Sequence, residues 1–429
     1  MGDAPERIPA SLQPGRGAGD CSFTRLSNRG NLQQEGNDSP LPLYSTTELI
    51  VMLAGKKIIF LLGNMELGGA ERQAMLLARH LQEREHARIE VWGIGEPGRV
   101  AQMCDDSGIP WENIPLNFGA GVVRDFIEVV RFSRRLREAA PDVLLPYTWF
   151  PNVLCGLVWR FSGPGICVWN QRDSGVFLDP TRVVHRLAVK LTPFFVSNST
   201  HAATFLMDRF RVDRQRLAVI PNGVRLELPR NDRISWRDRL GAGEGDFVGC
   251  MVANFSQLKD HGTAVRAWRR VVGQLAACNR RALLVLAGRD DGTAHSISLL
   301  IRELGLGGDV RILDAVDDVP GLLAACDMGV HCSEHEGCPN AVLEEMAVGL
   351  PVVASDNSGV RMVLGEGGEV FLAPYRDSEG LAQRILEFAM DGHYRAKVGK
   401  NNKQRILDCY SVEAMCSHAT RFIENAFKG

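Results

Sequence analysis

Nowhere in these 429 residues does an apolar run approach the roughly 20 residues needed to cross a bilayer. The short Leu49-Ile50-Val51-Met52-Leu53 stretch is no signal peptide. The chain is therefore expected to be soluble and cytoplasmic, or at most peripheral to the inner membrane surface. An excess of charge is missing too. The formal net charge is -2, so no global electrostatic argument points to nucleic acid or to an acidic partner. Also absent is any Cys-x-x-Cys pair. The 11 cysteines are scattered, several of them in apolar runs (Cys155, Cys167, Cys250, Cys326). That usage fits reduced thiols better than a disulfide scaffold. The first 47 or so residues lack periodic apolar patterning and are rich in Gly, Pro, Ser, Asn and Arg. A disordered leader through about residue 50 is expected. Met52 lies just before the first folding signal, which suggests a later start site; native residues mapped before Met52 would remove that expectation.

What is present begins at Lys57-Ile58-Ile59-Phe60-Leu61-Leu62, a short buried-strand run. From there apolar strands alternate with amphipathic helices. Strands are expected at Ile89–Trp92, Val143–Leu145, Cys167–Trp169, Phe194–Val196 and Leu217–Ile220, with helices such as Ala70–Leu81 and Val122–Arg137 between them. A polar stretch from Asn222 to Asp246 interrupts the pattern. It resumes at Val248–Val252, Leu283–Leu286, Val310–Ile312, Met328–Val330, Val352–Ala354 and Val370–Leu372, and a last helix spans Ser411 to Ala426. Alternation at this spacing predicts an α/β protein of two doubly wound, Rossmann-like parallel-sheet domains facing a cleft. Ligands in such sheets sit at the carboxyl ends of the strands.

The most informative stretch is Ser333-Glu334-His335-Glu336-Gly337-Cys338-Pro339-Asn340-Ala341-Val342-Leu343-Glu344. A buried strand ends there and a helix starts near Asn340, a good capping residue. Glu336 falls in the turn and Glu344 one turn into the helix. Amides at a helix start can hold phosphate, while two carboxylates accept hydrogen bonds from sugar hydroxyls. The alternative is a pair of solvated glutamates. His331, Cys332, His335 and Cys338 look like a zinc set, but no second ligand pair lies nearby, and alternation points His331 and Cys332 to opposite faces. No metal is expected.

This segment, with its Gly-x-Pro-Asn and Met-Ala-x-Gly-x-Pro flanks, resembles the E-x7-E donor-site motif of the family 4 (group 1) glycosyltransferases. Gly68-Gly69-Ala70-Glu71-Arg72, after the first strand, is similar to that family's first loop, which faces donor phosphates and acceptor. The resemblance implies the GT-B fold. Residues 56–225 would form an acceptor-binding domain and 226–410 a nucleotide-sugar-binding domain, with 411–429 packing back on the first. It also implies a retaining, metal-independent transferase without a cofactor, whose partners are a nucleotide-diphosphate sugar and a glycan or lipid-linked acceptor.

In that scheme Lys259 and Glu336 are the catalytic residues. Lys259 would neutralise the leaving diphosphate. Glu336, with Gly337, Cys338, Pro339, Asn340 and Ala341, would orient the donor sugar, and Glu344 would hold the ribose. Gly68, Gly69 and Asn254 complete the donor site. Two departures stand out. Asn254 occupies the place of an arginine usually paired with the lysine, with Arg289 as a candidate substitute. Tyr147 or Thr148 stands where many relatives carry a histidine. Arg172 would bind a phosphate or an acceptor carboxylate, or else pair with Asp173 or another acid. Pro221-Asn222-Gly223-Val224 is similar to the family turn closing the first domain, with a structural role. Arg124, Arg131, Arg134, Arg135 and Arg137 crowd one helix, as a solvated face or as an anchor to anionic lipid. Two rivals share the fold: a nucleotide-sugar epimerase and a non-catalytic partner subunit.

Overall fold

The structure, a computed structural model, describes residues 52–119 and 121–428. The leader expected to be disordered lies outside the described residues. The first half begins with β1 (Lys57–Leu62), α1 (Gly69–Glu83), β2 (Arg88–Gly93), α2 (Arg99–Asp106) and β3 (Trp111–Asn113). It continues through α3 (Val122–Ala139), β4 (Val143–Pro146), α4 (Trp149–Ser162), β5 (Ile166–Gln171) and α5 (Val183–Leu191). It closes with β6 (Phe194–Ser197), α6 (Thr200–Phe210) and β7 (Leu217–Val219). These seven strands form one sheet in the order β3-β2-β1-β4-β5-β6-β7.

The second half runs through α7 (Arg233–Leu240), β8 (Phe247–Val252), α8 (His261–Ala276), β9 (Ala282–Ala287) and α9 (Ala294–Glu303). Next come β10 (Val310–Leu313), α10 (Val319–Ala325), β11 (Met328–His331), α11 (Asn340–Val348) and β12 (Val352–Ser355). Then follow α12 (Ser358–Leu364), β13 (Leu372–Ala373), α13 (Ser378–Met390), α14 (Gly392–Cys409) and α15 (Val412–Lys428). Its six strands are ordered β10-β9-β8-β11-β12-β13. Every strand pairing in both sheets is parallel.

Helices on both faces explain why the strands read as unbroken apolar runs. In β1, Ile58, Phe60 and Leu62 join the core beneath α1, whereas Ile59 and Leu61 join the core beneath α3 and α4. Each such burial contributes roughly 1.5–3 kcal/mol, so sheet centre and helix layers are strongly coupled. The last helix belongs to the first half: Val412, Met415 and Ile423 of α15 sit in the same core as Ile58 and Phe60, and Phe422 meets Phe194 edge-on at 6.2 Å. The chain thus crosses between halves twice, after Gly223 and near Ser411. The crossings touch: Val224 N–H donates to Tyr410 O at 2.8 Å and bridges Ser411.

Two elements differ from expectation. β3 carries one aromatic followed by Glu112 and Asn113, all half-buried, so an edge strand is present without an apolar run. The run expected as a strand at Val370–Leu372 is mostly a 3-10 turn, Gly368–Phe371, with β13 starting only at Leu372. Val370 is half exposed.

Candidate active site

The carboxyl ends of the two sheets meet, and polar loops from both fill the junction. Asn340, after β11, donates from Nδ2 to Gly69 O, after β1, at 3.0 Å. Asn222 donates from Nδ2 to Cys338 O and to Asn340 Oδ1, both at 2.8 Å. Gln73 Nε2 reaches Asn340 Oδ1 at 3.2 Å and Gly223 O at 2.9 Å. The expected capping role of Asn340 is therefore corrected. Pro339 is the cap residue, Asn340 is the first helical residue, and its side chain serves the opposite half instead. Gly69 matters for this contact, since a Cβ there would lie 2.9 Å from Asn340 Nδ2. Asn222 is more than a turn residue for the same reason.

Lys259 sits on the loop after β8, stitched to the end of β11 by an antiparallel bridge to Ser333 and by Asp260 N donating to Cys332 O at 3.0 Å. Asp260 caps α8 through Thr263 N. That double attachment places the ammonium of Lys259 against the Glu336 carboxylate. His331 Nε2 contacts the same carboxylate at 2.9 Å. Burial works against charge on Glu336, but Lys259 and His331 hold its carboxyl well below the ordinary glutamate value. Burial lowers His331 in turn, so its ring stays neutral and donates from Nε2. His331, a buried residue of β11, is a site residue that the sequence offered only as a member of a discounted zinc set. Gly359 at the start of α12 lets this turn pack tightly: a Cβ there would lie 2.6 Å from Glu336 O and 2.7 Å from Gly337 O.

From the first half, Arg172 follows β5. It donates to Asn170 Oδ1 at 3.1 Å and to the Tyr147 hydroxyl at 3.3 Å, and its guanidinium lies 4.7 Å from the Tyr147 ring centre. Asp173 is instead engaged by Gln171 and the Gly175 amide, so among the described residues Arg172 has no carboxylate partner. Its backbone O accepts from Asn198, whose side chain abuts Gly337. Arg289 is occupied differently, by Asp291 at 2.8 Å and Glu66 at 3.6 Å. Asn254 also grips Asp291, at 3.0 Å. Arg289 thus has its charge matched in place, whereas Arg172 does not. Thr148, at the position where relatives carry a histidine nearby, has φ 69 and ψ 172. That conformation is nearly restricted to glycine and costs on the order of 1–3 kcal/mol, as at many functional sites.

Glu344 projects from α11 toward α1, where Arg72 pairs with it. Burial raises its carboxyl above the ordinary value, with Arg72 opposing. A cavity of about 690 Å³ opens beside it, lined among others by Val316, Val319, Pro320, Leu67 and Arg225. Among the described residues no group of three or more His, Cys, Asp or Glu is arranged to hold a metal ion. His331 is taken by Glu336, and Cys332 is buried in the second-half core.

Two Rossmann-like domains with their strand ends opposed across such a site define the GT-B class of transferase. Sequence comparison agrees: the model for glycosyl transferases group 1 matches residues 232–405, and that for glycosyltransferase family 4 matches residues 67–228. The chain belongs to the family 4 (group 1) glycosyltransferases. A lipopolysaccharide core biosynthesis glycosyltransferase, LpsE of Rhizobium meliloti, is 29% identical over 126 residues, which is 29% of this chain and 37% of that protein. An Escherichia coli UDP-Gal:alpha-D-GlcNAc-diphosphoundecaprenol alpha-1,3-galactosyltransferase is 21% identical, with coverage of 74% of this chain and 84% of that one. Several other curated relatives are matched over about half their length. Among solved structures, Anabaena HepE in complex with UDP and glucose superposes with a TM-score of 0.74 at 21% identity, covering 86% of this chain and 100% of HepE.

Proposed function

We propose that the protein transfers a hexose-type sugar from a nucleotide-diphosphate sugar to a glycan or lipid-linked sugar acceptor, with retention and without a metal, in bacterial surface polysaccharide assembly. One observation carries this reading. Lys259 from one half pairs with Glu336 of the Glu336–Asn340 turn. From the other half, the Arg172 guanidinium lies 3.4 Å from Asn222, which donates to Cys338 O of that turn. Of the two cations only Lys259 has a carboxylate partner among the described residues. A diphosphate seated there gains charge compensation from both sides. The nucleoside would occupy the cavity beside Glu344, whose carboxylate accepts from the ribose hydroxyls. The relatives named above support the class of donor and acceptor.

The chemistry needs few protein groups. The bond between the anomeric carbon and the phosphate oxygen breaks, and Lys259 and Arg172 stabilise the charge that grows on the departing oxygen. The acceptor hydroxyl attacks from the same face, and its proton passes to the departing phosphate. Glu336, kept ionised by Lys259 and His331, holds a sugar hydroxyl.

The test is a panel of nucleotide-diphosphate sugars with purified protein. Ligand at a hundred times its dissociation constant stabilises by about 2.7 kcal/mol, a shift visible on heating. Turnover should then require an added acceptor, and the product should keep the donor's anomeric configuration. Donor conversion without acceptor would overturn the proposal in favour of an epimerase. Absence of both binding and turnover across the panel would overturn it in favour of a non-catalytic subunit.

A further inference from the structure

At the cleft-facing end of the α3, α4 and α5 layer, side chains of a kind normally buried are open. Val122 and Phe126 of α3 are 87% and 67% exposed, and Val183 of α5 is 72% exposed. Val123, Ile127, Val184 and Leu187 accompany them. On α3 Val123 and Ile127 lie opposite the buried Phe132 and Leu136, so the first turns of the helix are apolar on the outer face as well as the inner one. α4 packs between the other two helices: Trp159 donates to Leu191 O at 3.0 Å, and Ser133 meets Ser162 at 2.8 Å.

A chain of rings joins the two apolar patches. Phe118, just before α3, contacts Phe150 at 5.2 Å. Phe150 contacts Trp149 at 5.6 Å, and Trp149 stacks on Phe177 at 6.3 Å and touches His185 of α5 at 6.3 Å. The result is a continuous apolar rim at the strand ends that also bound the cleft.

The rim is basic in a protein that is not. Against a whole-chain charge of -2, α3 carries five arginines and three carboxylates, and residues 182–190 carry Arg182, Arg186 and Lys190 with no carboxylate. Arg131 and Arg134 border a groove of about 740 Å³ whose apolar wall includes Phe126, Ile127 and Val130. Arg135 pairs with Glu112 and Arg182 lies 3.9 Å from Asp179, whereas Arg131 and Arg134 have no ion-pair partner among the described residues. Apolar side chains beside such cations suit a bilayer interface, where rings and aliphatic chains enter the acyl boundary and arginines meet phosphate headgroups.

We propose that this rim docks the protein on an anionic phospholipid bilayer, with the mouth of the cleft held at the lipid surface. Only the benefit to a lipid-linked acceptor rests on the transferase reading; docking itself does not. No described helix is long and apolar enough to cross a membrane, so attachment would be peripheral.

The test is co-sedimentation of the full chain with vesicles of phosphatidylcholine alone, or of phosphatidylcholine mixed with phosphatidylglycerol. Binding is expected only with phosphatidylglycerol present, and should weaken with added salt. Arg131→Gln with Arg134→Gln should weaken partitioning about fivefold per arginine removed. Phe126→Ser with Ile127→Ser should abolish it. Both double variants should keep the nucleotide-induced thermal shift, which shows they are folded. Failure of wild type to bind phosphatidylglycerol vesicles would overturn the proposal, as would equal binding to both vesicle types or variants that bind like wild type. A solution dimer dissociated by Phe126→Ser with Ile127→Ser, without vesicle binding, would reassign the rim to self-association. Because vesicle binding is read without turnover, its failure is separable from failure of the transferase.

Discussion

The guanidinium of Arg72 on α1 grips the carboxylate of Glu344 on α11, so a residue of the first half occupies the group expected to hold ribose. A nucleotide must displace or share this partner. Glu344→Ala should weaken nucleotide binding by on the order of 1.5–3 kcal/mol, the worth of a hydrogen bond to a charged group. Titration calorimetry with the diphosphate nucleotide reads this directly, and unchanged affinity in a folded variant removes the ribose role. Acidification should act in the same direction. Burial raises the Glu344 carboxyl above its ordinary 4.5, so its ionised, ribose-binding form is lost as pH falls through that raised value. Affinity should therefore begin to drop at a higher pH than an exposed glutamate would dictate.

Lys259 should matter more to turnover than to donor binding. Charge on the bridging oxygen grows as the sugar–phosphate bond breaks, so a fixed cation favours the transition state over the ground state. Lys259→Ala is expected to lower kcat by about a hundredfold, comparable to loss of one preorganised donor. Donor KM should change less. The variant also leaves Glu336 buried with only His331 beside it, so its remaining activity should decline toward acid pH sooner than that of wild type. A near-normal kcat would move the phosphate clamp to Arg172.

Activity should survive a chelator, because the proposed cations are protein side chains. Steady-state rates before and after exhaustive chelation decide the matter. Loss that manganese or magnesium restores would reject the reading and return attention to the stretch from His331 to Cys338.

Glu345, next to the ribose-binding candidate, points into the second-half core, where neither carboxyl oxygen has a hydrogen-bond partner. It presses on β11 so closely that a Cβ on Gly329 would lie 2.3 Å from its Oε2. Burial, and then Glu344, push its pKa well above the ordinary 4.5, so the folded chain holds this proton to higher pH than the unfolded chain does. The unfolded chain releases this proton near the ordinary 4.5 while the folded chain keeps it. Folded protein thus binds more protons above that pH, and stability falls as pH rises. Glu345→Met should raise stability by about 1–3 kcal/mol, the usual penalty of an unmet buried polar group, and flatten the pH dependence in urea melts. A destabilised variant with an unchanged slope would show that the carboxyl is satisfied.

Much of the architecture was legible because parallel strands covered on both faces are nearly continuous apolar runs. Ile58 to Leu62 and Leu283 to Leu286 could hardly be anything else. β3 was not legible, since one aromatic followed by Glu112 and Asn113 has no periodicity to detect. The site was legible where spacing along the chain sets geometry, as for Glu336 and Glu344 on one turn and helix. Contacts set by the fold left no local mark. Arg72 and Glu344 are 272 residues apart, and Asn222 and Asn340 118. An asparagine at a helix start looks like a cap in sequence whether it caps or, as Asn340 does, reaches the opposing domain.

The adjacency of the two crossings, with Val224 hydrogen-bonded to Tyr410 and bridged to Ser411, has a mechanical consequence. Two parallel tethers at a single edge leave one soft rotational degree of freedom. Rotation about that edge would leave both tethers in place, while sliding of one half past the other would strain both together. Loading and release would then be matters of opening angle, and the pairs Arg72–Glu344 and Asn340–Gly69 would part and re-form in concert as that angle changes.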